Sequence, residues 1–191
     1  VKPEAVGKLF TQGDFVSTGN NLDVAVEGEG FFQVQLPNGQ LSYTRSGAFK
    51  LNENGVLVTS DGYEVTPTVT IPANSVSLKI SAEGVVSVRA ADSPAETDIT
   101  TLELAKFQNP AGLRAMGKNL FQETEASGSP STGVPGDTGF GTLAQGFLES
   151  SNVSVVEEIV QMVTGQRAYE ANSKVIQTAD QILGQALSIK R

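Results

Sequence analysis

One stretch near the end of the chain restricts the fold more than any other. Val155, Met162, Tyr169, Ile176 and Leu183 stand seven residues apart, an apolar column at helical spacing. Ser154 followed by Glu157 is a capping-box start. A helix over 154–190 would be about 55 Å long at 1.5 Å per residue. A seven-residue repeat held over that length suits a coiled-coil-like seam. Gly165 and Gly184 each cost a helix about 1 kcal/mol relative to Ala. A lone helix of this kind is marginal in water, because its stability comes mostly from packing an apolar face. The residues expected to make that packing are Val155, Ile159, Met162, Val163, Tyr169, Val175, Ile176, Ala179, Ile182, Leu183, Ala186 and Leu187. No second long helical pattern occurs in the sequence to cover them.

Upstream the pattern changes. Short stretches rich in Val, Phe, Tyr, Thr and Leu alternate with turn signals at Pro37-Asn38-Gly39, Asn54-Gly55, Asp61-Gly62 and Glu83-Gly84. The expected strands are 23–27, 31–36, 41–45, 56–59, 63–66, 77–81, 85–89 and 100–107, with Phe32, Val34 and Leu36 on one face. The fold class is therefore mainly β: an antiparallel β domain, a linker and one long C-terminal α-helix. The expected divisions are an extended connector over 1–19, the β domain over 20–125, a Gly/Ser/Pro-rich linker with a return strand over 126–153, and the amphipathic helix over 154–191.

Chemistry-bearing patterns are sparse. The chain has no Cys, His or Trp, which removes disulfides and the usual zinc ligands. Asp137-Thr138-Gly139 matches a short aspartic-protease signature, but lacks the second copy and the apolar strand that mechanism needs. Gly28-Glu29-Gly30 precedes a strand, whereas a phosphate cradle needs a helix N-terminus. Asn52-Glu53-Asn54-Gly55 lacks the spacing of a calcium loop and reads as a hairpin turn. No catalytic, cofactor or metal residue is expected. The net charge is −8, with 13 basic and 21 acidic residues, which disfavours nucleic acid as a partner. From Ser154 onward four acids balance four bases, so the excess lies upstream of the helix. No apolar run is long enough to insert in a membrane.

Two long blocks carry a family resemblance. DVAVEGEGFFQVQLPNGQLSYTRSGAFKLNENGVLVTSDGYEV (23–65) resembles the shared core motif of bacterial flagellar rod and hook proteins. SNVSVVEEIVQMVTGQRAYEANSKVIQTADQIL (151–183) is similar to their C-terminal helix. The stretch 67–88, with NLFQETEASGSP (119–130), is most similar to the distal-rod branch of that family. The resemblance implies a non-enzymatic axial subunit without cofactors, in a filament with an outer β layer and an inner helical tube. It implies a place in the basal body, across the periplasm, after passage through the flagellar type III export apparatus. Its implied partners are copies of itself, proximal rod proteins, hook protein and surrounding ring proteins. Members of the family begin with a long N-terminal helix, so Val1 is expected to fall partway into such a chain. The column at Val155, Met162, Tyr169, Ile176 and Leu183 should then touch that helix and neighbouring subunits. Hook or proximal rod protein is the nearest alternative within the family. Outside it, the alternatives are an exported binding module with Phe31, Phe32 and Tyr43 lining a site, and a periplasmic hydrolase with paired carboxylates.

Overall fold

A computed structural model of the chain describes residues 7–91 and 95–189, with all side chains among them except those of 183, 184 and 186–189. The first strands are β1 (Phe15–Ser17), β2 (Val24–Glu27), β3 (Phe31–Gln35) and β4 (Leu41–Thr44). Next come β5 (Phe49–Leu51), β6 (Leu57–Thr59), β7 (Glu64–Thr66), β8 (Ser75–Ile80) and β9 (Val85–Ala90). They are followed by β10 (Glu96–Thr101), β11 (Leu104–Lys106), β12 (Arg114–Gly117) and β13 (Leu120–Gln122). The last are β14 (Ser131–Gly133), β15 (Thr142–Gln145) and β16 (Phe147–Glu149), before the helix α1 (Val155–Ile189). Every strand pairing is antiparallel. The chain is thus mainly β with one C-terminal helix, as its turn signals and its heptad column predict.

Those turn signals close hairpins. Gly39 donates to the Leu36 carbonyl between β3 and β4, and Gly62 to that of Thr59 between β6 and β7. At Asn52–Gly55 the Asn52 side chain accepts from the amides of Asn54 and Val56, an Asx turn joining β5 to β6. The largest sheet runs β12-β13-β4-β3-β7-β6-β5, with β11 pairing both β3 and β14. A three-stranded sheet, β10-β9-β8, and two pairs, β15 with β2 and β1 with β16, complete the β unit.

β3 sits deepest. Phe32, Val34 and Leu36 share one face, as expected, and the opposite face is covered too: Phe31, Phe32, Gln33 and Val34 are all buried. Both faces are covered. Phe32 and Val34 belong to the main cluster with Phe49, Val65, Leu102 and Leu104, while Phe31 joins Tyr43, Phe107 and Leu113 in a second. Burial also removes the binding-module reading of Phe31, Phe32 and Tyr43, since none of the three faces solvent.

Residues 100–107 differ from the single strand expected there. β10 ends at Thr101 and β11 starts at Leu104. Between them Leu102 is fully buried and its amide donates to the Gly84 carbonyl at 2.8 Å. The chain changes sheets at this point. Residues 126–153, linker-like in composition, hold β14, β15 and β16, because β11, β2 and β1 supply their pairing partners. The chain divides into two compact units, Val1–Ser151 and Asn152–Arg191.

Candidate functional site: the apolar faces of the C-terminal helix

The helix starts as its sequence predicts. The Ser154 hydroxyl accepts from the Glu157 amide at 3.4 Å, and its carbonyl from the Glu158 amide at 3.1 Å. Glu157 and Glu158 occupy the first turn, where the helix dipole favours negative charge. Thirty-five residues follow, so α1 is about 52 Å long.

Along this length large apolar side chains stand open to solvent. Met162 is 72% exposed and Tyr169 77%, and even Val163, the least open of this stripe, is 42% exposed. Val155, Ile159, Val175, Ile176, Ala179 and Ile182 are exposed as well. The side chains of Leu183, Ala186 and Leu187 lie outside those described.

The apolar residues do not make a single face. Taking Val155 as origin, at about 100° per residue, Ile159, Met162 and Val163 lie near 40°, −20° and 80°. Tyr169 and Ile176 follow at about −40° and −60°, the drift of about 20° per heptad that a straight helix imposes. Val175, Ala179 and Ile182 sit near 200°, 240° and 180°, on the other side. There, with Ala171, Lys174 and Thr178, they line a shallow apolar groove. The expected residues therefore form two groups: a face running from Val155 through Tyr169 to Ile176, and, across the axis from where that face starts, a second made by Val175, Ala179 and Ile182. Within the helix, Thr164 and Thr178 bond back to the carbonyls of Val160 and Lys174, both at 2.8 Å.

The short motifs that resemble catalytic or binding signatures are turns. Asp137 accepts from the amide of Thr138 through its side chain at 2.7 Å and from the amide of Phe140 through its carbonyl at 2.9 Å. Gly28 and Gly30 take φ values of +105° and +147° in the turn between β2 and β3, and a Cβ at position 30 would press on the Leu104 side chain. Among the described residues no three carboxylates converge on a metal-sized site. No described helix is long and apolar enough to cross a membrane. What the geometry does define is a class of chain: a multi-sheet β unit followed by one long helix with large apolar side chains exposed along its length.

The comparisons with known proteins place the chain within that class. Residues 25–88 match the family model "Flagellar hook protein FlgE/F/G D1 domain", and residues 144–189 match "Flagellar basal body rod FlgEFG protein C-terminal". The chain is 48% identical to the flagellar basal-body rod protein FlgG of Borreliella burgdorferi over 192 residues, spanning 100% of the chain and 72% of that relative. It is 48% identical to the protein of that name from Buchnera aphidicola subsp. Schizaphis graminum over 183 residues, 96% of the chain and 70% of the relative. The flagellar hook protein FlgE of Escherichia coli is more distant, at 29% identity over 98% of the chain and 46% of that protein. The chain belongs to the flagellar basal-body rod protein family.

Proposed function

We propose that the chain is a structural subunit of the distal rod of the bacterial flagellum, located in the basal body and acting by transmitting torque. The identities of 48% to basal-body rod proteins, against 29% to a hook protein, support the rod over the hook. The observation that carries the reading is the pair of exposed apolar faces on α1. Two opposed faces on one helix suit a position between two neighbours. Repetition of such a contact with a rotation that does not close generates a helical tube. Its partners are then copies of itself, proximal rod proteins below, hook protein above and ring proteins around it, with no nucleic acid and no membrane insertion. No enzymatic step is needed for this role.

The test is genetic. Cells carrying Ile159→Asp together with Ile176→Asp are expected to lack the distal rod in electron micrographs of isolated basal bodies, while the purified β unit keeps its strand signature. Intact rods from that variant would refute the packing role.

A further inference from the structure

β1 and β16 form a two-stranded stem, with Phe15 opposite Glu149 and Ser17 opposite Phe147. This ladder is pinned to the rest of the β unit at both ends. At one end, Asp23 accepts from the Thr18 hydroxyl at 2.6 Å and from Asn20 Nδ2 at 3.2 Å, and its carbonyl accepts from the Gly146 amide at 2.7 Å. At the other end stands Arg45, immediately after β4. Its Nε donates to Glu149 Oε2 at 2.7 Å, and its Nη1 to the Gly30 carbonyl at 3.0 Å. Its Nη2 donates to the carbonyls of Val26 at 3.1 Å and Gly28 at 2.7 Å. The other oxygen of Glu149 accepts from the Gly13 amide at 3.0 Å. The preceding residue, Gln12, completes the circuit: its Nε2 donates to the Val26 carbonyl at 2.9 Å and its Oε1 accepts from the Gly28 amide at 3.2 Å.

These bonds close a ring: Gln12, Gly13, Glu149, Arg45 and the turn between β2 and β3. The guanidinium ties Glu149, and through it Gly13, to that turn and the adjoining end of β2, while Gln12 bonds Val26 and Gly28 directly. The planar fork of Arg reaches a carboxylate and three carbonyls together, which a Lys ammonium on its flexible stem does not. Both charged side chains are largely covered, at 21% and 11% exposure, so solvent screens them little.

We propose that the Arg45–Glu149 ring is a rigid joint that transfers load between the stem and the β unit. It rests on the reading of the chain as a torque-transmitting subunit. Two pins on a ladder of three residue pairs resist rotation about either pin; one pin alone leaves a hinge. Arg45 is thus a positioning residue, acting on the ends of β1 and β16 through Glu149 and the turn.

Amide hydrogen exchange on the isolated full chain tests the joint. In Arg45→Lys, amides of residues 13–15 and 148–150 are expected to exchange about tenfold faster or more, the loss of charge-assisted hydrogen bonds. Amides of 17–19 and 145–147, at the Asp23 pin, and those of β3 should hold their rates. Glu149→Ala should give the same pattern with the Arg retained. Unchanged rates at 13–15 and 148–150, or equal acceleration throughout the β unit, would overturn the joint. In cells, Arg45→Lys is expected to leave rod length unchanged and to lower the rotation speed of tethered cells under viscous load. Missing rods, or full speed at high load, would overturn the transfer role. Because exchange is read on the dissociated chain, its result is separate from the Ile159→Asp/Ile176→Asp test of rod assembly.

Discussion

Phe31 and Phe32 are consecutive residues of β3 that belong to different hydrophobic clusters. Phe32 meets Phe49 edge-to-face at 5.0 Å between ring centres, and Phe31 meets Phe107 at 5.9 Å and Phe10 at 5.7 Å. β3 is the shared wall of the two clusters, paired with β4 along one edge and with β7 and β11 along the other. Phe32→Ala is therefore expected to destabilise the β unit by about 3–5 kcal/mol, the range for a fully buried ring. Urea denaturation followed by far-ultraviolet circular dichroism measures it; a loss under about 1 kcal/mol would place the main core elsewhere.

Gly47 lies against the backbone of β2. Its carbonyl accepts from the Val24 amide at 3.0 Å, and a Cβ at this position would overlap the Val24 carbonyl oxygen. Backbone cannot move aside as a side-chain tip can, so Gly47→Ala should cost about 3 kcal/mol or more, beyond ordinary overpacking. The midpoint of thermal unfolding reads this, and an unchanged midpoint would contradict it.

Tyr43 gives the β unit an alkaline limit. Burial raises its phenol above the usual value of about 10, and the charge of Glu123 adds to the rise. The folded state thus holds the proton after the unfolded chain has released it. The corresponding stability is complete below about pH 10 and is lost as pH climbs through the raised value. The difference in urea midpoint between pH 8 and pH 10.5 should be larger for the unaltered chain than for Tyr43→Phe. Equal differences would remove Tyr43 from the account.

Gly165 lies in the interior of α1, and a Cβ there meets nothing within 4 Å in the isolated chain. Gly165→Ala should stabilise the helix by about 1 kcal/mol, seen as increased helical signal and slower exchange across 160–170. Swimming by cells carrying that variant measures whether a neighbouring helix uses the space in the assembled rod. A gain in helicity with lost motility is the outcome expected if it does.

Much of the β unit was legible locally. The turns at Pro37–Gly39, Asp61–Gly62 and Glu83–Gly84 bound strands close to where alternation puts them. What local pattern could not show was pairing at long range. β14, β15 and β16 lie in Gly- and Thr-rich sequence and exist because β11, β2 and β1 run beside them. The break at Leu102–Glu103 follows from the Leu102 amide finding Gly84, a contact between sheets. In β3 the face with Phe32, Val34 and Leu36 was readable, whereas the burial of Phe31 on the other face was not, since it depends on residues as distant as Phe107 and Leu113. The Arg45 ring was invisible for a related reason: its acceptors are carbonyls of a turn and a carboxylate 104 residues away. The helix was the most readable element, in its capping serine and its heptad column. Its division into two opposed faces becomes plain only when Val175, Ala179 and Ile182 are placed around the axis with Ile159 and Val163.

In the rod, the apolar faces of α1 are expected to be covered by other polypeptide. The chain has no Cys, so a single introduced thiol reports alone. Ile176→Cys, 63% exposed as Ile176 in the isolated chain, can be labelled with a maleimide in intact basal bodies and again after their dissociation. Strong labelling of the dissociated chain with little labelling of intact basal bodies is the predicted result. Equal labelling in the two states would mean that Ile176 stays open to solvent in the rod.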